Sequence, residues 1–469
     1  MVMVLNRKII RTVLENKSRY IGAVILIFLC STLFISLNIA GPSALEGIRE
    51  FRKKHNVEEA GFVMHKPLEN IPDIEKKYGL ILEERKSVDY KYDKSSTLRL
   101  LEETKKLNTY SVVEGKALKG SGEILIDEKF ASKHSIKVGS NIDIYGKVLK
   151  VAGFMAIPDY IYVLEAETDL IPNPQAFGVA IVSQQDISAI NNGHTCYCVK
   201  FNKDNMEEFK KYLNSSNVII KWLSAEDNPR ISAVDGDVGS FSEMGKVVPV
   251  VIMVLTCLMV SIVLWRLLKV EFVQIGTLYS LGYRKSEILM HYLSYAVLLS
   301  ALGGVAGILP GILLAKPLVG MQEIQYNFPN LEMNYDIRII LTGILLPFLF
   351  LIPVTVLVVM NALKLTPLEL IRGGGNKTRV GFLERSLNLG KLKFDIKFKI
   401  RDMLRNIPRS AFMTLGVAFA SALLLFGFVL MDSISGLVDD SYNKAYRYEY
   451  FYRFNTIFQG SPDVGEKTS

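Results

Sequence analysis

Hydrophobic and polar positions divide the chain around five stretches with no Asp, Glu, Lys or Arg: Tyr20–Ala40, Val247–Leu264, Ile288–Ala315, Ile339–Leu363 and Ala411–Met431. As helices rising about 1.5 Å per residue, each can cross roughly 30 Å of hydrocarbon. The pattern predicts five transmembrane helices. Tyr20 and Trp265 stand at span ends, where amphipathic rings favour the headgroup layer. Pro347 and Pro353 should kink the fourth span and free carbonyls for neighbours to satisfy.

Residues 41–246 have a different grain. Short runs predict strands at Tyr110–Val113, Glu123–Asp127, Asn141–Tyr145, Leu149–Phe154, Val179–Val182 and Tyr197–Phe201. Helices are expected at Lys129–His134 and at Asn205–Leu213, the latter capped by Asn202 or Asp204. A charged helix, Leu45–His55, should lead into Gly61–Met64. The implied domain is α/β or α+β, with α+β the assignment taken. At about 200 residues it is large enough to hold a core without disulfides.

Composition agrees with such a mixture. The 469 residues are 49% hydrophobic and 22% charged, which excludes a disordered or collagen-like chain. The mean hydropathy of +0.24 is too high for an ordinary soluble chain and too low for one lying mostly in the membrane. The net +8 is unevenly placed. Segments 1–19, 265–287 and 364–410 hold 21 basic and 7 acidic residues, whereas 41–246, 316–338 and 432–469 hold 34 and 40. The positive-inside rule puts the first set, with the N-terminus, in the cytoplasm, and the large domain outside the cell membrane. Because the excess of Lys and Arg flanks spans, it does not point to nucleic acid.

The N-terminal segment recurs. Shifted by 390 residues it meets eight identities in 34 positions, among them Arg11 with Arg401, Asn16 with Asn406 and Arg19 with Arg409. Each copy reads as a basic amphipathic helix followed by a span. Leu5, Ile9 and Val13 line one face of the first; Ile396, Ile400, Met403 and Ile407 line the second. Such helices suit a membrane surface and its lipids. The order expected is surface helix 1–19, span 20–40, outer domain 41–246, span 247–264, loop 265–287 and span 288–315. Then follow an outer loop 316–338, span 339–363, basic linker 364–410 with the second surface helix, and span 411–431. Residues 432–469 read as the start of a second outer domain, so the chain is expected to be one and a quarter copies of a longer repeat.

The run Glu114-Gly115, Gly122-Glu123-Ile124, Asp127, Ala131 and Lys137-Val138-Gly139 resembles the extracytoplasmic domain of FtsX-like (MacB-like) ABC permeases. Ile275-Gly276-Thr277-Leu278-Tyr279-Ser280-Leu281-Gly282-Tyr283, with Lys285, is similar to their loop after the second helix. Leu365 through Arg372 is similar to the signature after their fourth. The repeat further resembles the long double-repeat members of Gram-positive bacteria. The likeness implies a permease subunit, not an enzyme. It further implies a separate ABC ATPase that supplies ATP, no cofactor bound directly, and a second permease half or copy. It assigns ATPase contact to Ile275, Gly276, Leu278, Gly282, Tyr283 and Lys285, and signature roles to Pro367, Glu369 and Arg372. The alternative is a membrane receptor with an outer sensing domain and no ATPase.

Motif chemistry agrees in what it lacks. No G-x-x-x-x-G-K-[ST] is present to cradle phosphates, and neither H-E-x-x-H nor G-x-S-x-G occurs. Gly373-Gly374-Gly375 reads as a helix stop opening a linker. Within the spans only His291 is conventionally titratable, and it reads as interfacial beside Tyr292. His194, Cys196 and Cys198 would share one side of a strand and could be zinc ligands, though only three of the four needed. The simpler reading is a strand whose core face is Tyr197, Val199 and Phe201.

Overall fold

The computed structural model describes residues 17–371, apart from 191, 192, 204, 217 and 330, together with scattered helical positions between 394 and 436. The surface helix expected within 1–19 falls almost wholly outside the described residues. So do Arg372, most of the 364–410 linker with its second surface helix, most of the fifth span, and nearly all of 432–469. The chain divides into a helical unit and a sheet unit. The first takes residues up to Ala40, Ser242–Leu318 and the stretch from Asn334; the second takes Gly41–Phe241 and Val319–Met333.

Among the described residues four helices are long and apolar enough to cross a membrane. Helix α1 is Lys17–Lys54, continuous through Pro42, so the charged segment expected as a separate helix at Leu45–His55 is its C-terminal end. Another long helix is Pro229–Ser280. A third path runs through Lys285–Ala306 and Ile308–Glu323, parted at Gly307 but still bonded from Gly307 N to Gly303 O and from Gly311 N to Gly307 O. The fourth is Ile337–Ala362. The most apolar windows of these helices are only 28–50% buried within the protein. Leu345, Leu349 and Leu357 point outward while Leu351, Thr355 and Val359 pack inward. A helix apolar all round and covered on one side alone needs a lipid neighbour.

Two prolines explain polar residues on α1. Pro249 lacks the N–H that would bond the Gly245 carbonyl, and Asn38 Nδ2 donates to that oxygen at 2.7 Å. Pro347 likewise frees the carbonyl of Gly343, which Ser31 Oγ reaches at 3.1 Å. Close approach elsewhere relies on glycine. A β-carbon at Gly303, Gly307 or Gly311 would stand 2.6 to 2.8 Å from atoms of Ile27, Ser31 and Ile35, respectively. Tyr20, expected at the lipid headgroups, is instead buried and stacks on Tyr295 at 6.2 Å between ring centres.

The sheet unit holds ten strands in the order β10-β1-β9-β2-β3-β8-β5-β7-β4, with β6 on β7. Its strands are β1 Ala60–Met64, β2 Leu80–Lys91, β3 Thr97–Glu102, β4 Ser111–Gly115, β5 Glu123–Asp127, β6 Asn141–Ile144, β7 Lys147–Ala156, β8 Phe177–Val182, β9 His194–Phe201 and β10 Ile219–Ser224. β3 with β8 and β5 with β7 run parallel; the other pairs are antiparallel. All six expected strands are present within a few residues. β2, β3 and β10 were not expected. Helix α2, Ile71–Tyr78, and α5, Met206–Ser216, cover Phe62, Leu82, Tyr197 and Val199 on one face. Between them in chain order come α3, Glu128–Lys133, and α4, Gln184–Ser188. Asp127 caps α3 by accepting from Phe130 N, and also accepts from Val179 N. Burial pushes its carboxyl up to about 6 in spite of these bonds.

Candidate functional site

The segment read as the loop 265–287 is mostly helix: Pro229–Ser280, here α6, continues through it to Ser280. Leu264, Leu268, Phe272 and Ile275 recur at helical spacing and are buried, so the apolar face outlasts the uncharged span. The true turn is Leu281–Arg284. Gly282 N donates to Tyr279 O at 3.1 Å and Tyr283 N to Leu278 O at 3.1 Å, the paired bonds of a Schellman motif. Gly282 takes φ +92°, a conformation costly for any residue with a β-carbon. Arg284 N then donates to Glu287 Oε2 at 2.7 Å, and the next helix, α7, opens at Lys285.

A second short element lies against this hairpin. Thr366 and Glu369 form a reciprocal capping box: Thr366 N donates to Glu369 Oε2 at 2.9 Å and Glu369 N to Thr366 Oγ1 at 3.3 Å. Pro367 occupies the first position of the helix Pro367–Ile371, where a missing N–H costs nothing. That helix packs on Gly276, where a β-carbon would come within 3.0 Å of Leu370 Cβ and 2.8 Å of Ile371 Cγ1. The two separately read motifs therefore meet.

The six residues assigned to ATPase contact do not share one surface. Ile275 and Gly276 face inward, Leu278 and Tyr283 are half-buried, and Gly282 and Lys285 are exposed. Lys285 Nζ sits 5.8 Å above the centre of the Tyr279 ring. Leu281, quoted in the motif but not among the six, is 72% exposed and forms the apolar tip of the turn. Sequence reading missed Glu271, placed in a loop by its charge. Glu271 is buried, and Tyr292 OH donates to its Oε2. His291 contacts Tyr292 and Tyr295 edge to face.

In the sheet unit, Tyr197, Val199 and Phe201 form the core face of β9, as the simpler reading had it. His194, Cys196 and Cys198 lie on its other face and line a cavity with Arg85, Arg99 and Glu58. Both thiols are unbridged, and burial raises each, Cys196 to about 11. Among the described residues no group of three or more His, Cys, Asp or Glu side chains is set to hold a metal ion.

Four candidate membrane-crossing helices and a separate α+β unit define the class: a multi-pass membrane protein with a sheet-rich domain. Residues 246–367 match the family described as FtsX-like permease C-terminal, so this stretch of the chain is similar to FtsX-like permeases. The resemblance drawn from Ile275–Tyr283 is thereby borne out. FtsX-like permeases are typically ABC transporter permeases and generally work with ABC ATPase partners. No curated protein matches the chain.

Proposed function

We propose that the chain is the transmembrane subunit of an ABC transporter complex, coupling ATP hydrolysis by a separate ATPase to motion of an extracytoplasmic sheet domain. The observation that carries the reading is the family match over 246–367, which spans the hairpin at Gly282 and ends where Thr366 opens its capping box. In this reading the ATPase touches the exposed tip, Leu281, Gly282 and Lys285. Ile275 and Gly276 seat the tip on the helices and on Pro367–Ile371. The charge ledger supports a cytoplasmic placement of that tip and an outer placement of the sheet. The repeated N-terminal segment supports a fifth span and the opening of a second unit. No nucleotide site of the chain's own enters the scheme.

Purification in mild detergent should bring an ABC ATPase with the chain. In the reconstituted complex, Gly282→Val should abolish stimulation of ATPase activity, because a branched side chain strains the +92° backbone and reshapes the tip. Stimulation equal to wild type would count against the assignment. A pull-down with no ATPase would turn the reading towards a receptor.

A further inference from the structure

A carboxyl group sits where packing alone would call for an apolar side chain. Glu271 of α6 lies on the stripe of Leu264, Leu268, Phe272 and Ile275, and is itself only 7% exposed. Burying a carboxyl costs free energy unless it is hydrogen-bonded. Apolar packing is also non-directional, so it tolerates neighbouring arrangements of two helices that differ in angle and spacing. A hydrogen bond does not, because it weakens steeply once bent or stretched.

The bonding partner comes from the other arm of the hairpin. Tyr292 of α7, 2% exposed, donates its OH to Glu271 Oε2. Glu271 stands nine residues before the end of α6 at Ser280, and Tyr292 seven after the start of α7 at Lys285. At a rise of 1.5 Å per residue, the bond joins the two arms about 10–14 Å from the turn. Tyr292 is itself held in place. Its ring stacks on Tyr295 at 6.2 Å between centres, and Tyr295 stacks on Tyr20 of α1 at 6.2 Å. The donor is therefore placed by α7 and α1 together, while the acceptor belongs to α6. The exposed residues of the tip, Leu281, Gly282 and Lys285, lie beyond this crossbar, so the separation of the arms decides how they are displayed.

We propose that Glu271 and Tyr292 are the positioning pair of the hairpin: their bond sets the separation of α6 and α7, and with it the presentation of Leu281, Gly282 and Lys285 to a partner. That the partner is an ATPase rests on the permease reading; that the pair sets the separation does not.

The test uses the full chain in mild detergent, with Cys30, Cys196, Cys198 and Cys257 replaced by serine or alanine. Spin labels at Val273→Cys on α6 and Met290→Cys on α7, both exposed positions, report the distance between the arms by double electron–electron resonance. With the pair intact the distribution should be single and narrow. Tyr292→Phe keeps the ring and its stacking and removes only the donor; it should widen the distribution at least about twofold. Glu271→Gln retains an acceptor oxygen and should leave it narrow. Both substitutions conserve volume, so neither opens a cavity. Equal widths for Tyr292→Phe and the parent would overturn the proposal. So would a distribution for Glu271→Gln as wide as that for Tyr292→Phe, since the bond would then not be the cause. In the complex reconstituted with its ATPase, Tyr292→Phe should lower stimulation at least about threefold while the ATPase still co-purifies, and Glu271→Gln should retain it. Full stimulation by Tyr292→Phe beside a widened distribution would overturn the link from the pair to coupling. A parent chain that brings down no ATPase would sink the permease reading alone, because the distances are measured without it.

Discussion

Glu167 stands between two cations, 2.5 Å from Arg230 and 2.8 Å from Lys221. Burial alone would raise its carboxyl, but the two charges prevail and hold it at about 2 against an ordinary 4.5. A depressed carboxylate contributes stability that is complete above pH 4.5 and is lost as pH falls through 2. Glu167→Gln should therefore lower the melting temperature at pH 7, and the gap to wild type should close as pH approaches 2. A gap of equal size at both ends would show that the ion pairs contribute nothing. Gly282 poses a backbone question instead. Relative to glycine, even alanine at φ +92° should cost about 1 kcal/mol.

Elements were legible where one physical demand dominated. Glu123–Asp127 was read with its observed ends because an apolar run is closed by a capping Asp. β2 was missed because Glu83, Glu84, Arg85, Lys86 and Asp89 interrupt its alternation. Part of that polarity is the wall of the cavity, so the buried polar face disguised the strand that carries it. β3 escaped for the opposite reason: all six of its residues are buried, Arg99 and Glu102 included, and no in-and-out rhythm survives. At the hairpin, charge at Arg266, Lys269 and Glu271 ended the apparent span early, although the buried face runs on to Ile275. The motif at Gly276 and Gly282 was readable as a pattern. Its contact with Leu370 depends on tertiary packing that no spacing reveals.

The paired helices yield a prediction at the same scale. Gly307→Leu drives a side chain into Ser31 Cβ, 2.8 Å from where its β-carbon would stand, and into the Phe28 carbonyl at 3.0 Å. Overpacking of this kind costs about 1–3 kcal/mol and should lower the melting temperature in detergent. Leu309→Ala, at a position 65% exposed, should change stability by no more than about 0.5 kcal/mol.

For the whole molecule, the orientation drawn from charge is open to direct measurement. In a chain whose native cysteines are replaced, Lys221→Cys should react with a membrane-impermeant maleimide in intact cells. Lys285→Cys should react only after the membrane is opened. Both positions are exposed, at 47% for the Lys221 side chain, so access to reagent is not limiting. Reversed labelling would place the hairpin outside the cell and remove the basis for an ATPase contact there.

The glycine contacts share a property that extends beyond close fit. Gly303 meets Ile27, Gly307 meets Ser31 and Gly311 meets Ile35, all at one constant offset in sequence, so the two helices run in the same direction. Because the offset is common, the three seats engage or fail together. A slip of one residue would unseat all of them, and the nearest alternative register lies a helical turn away, about 6 Å along the axis. The pair is therefore keyed like a splined shaft. Sliding of one helix along the other is thus opposed at all three seats at once.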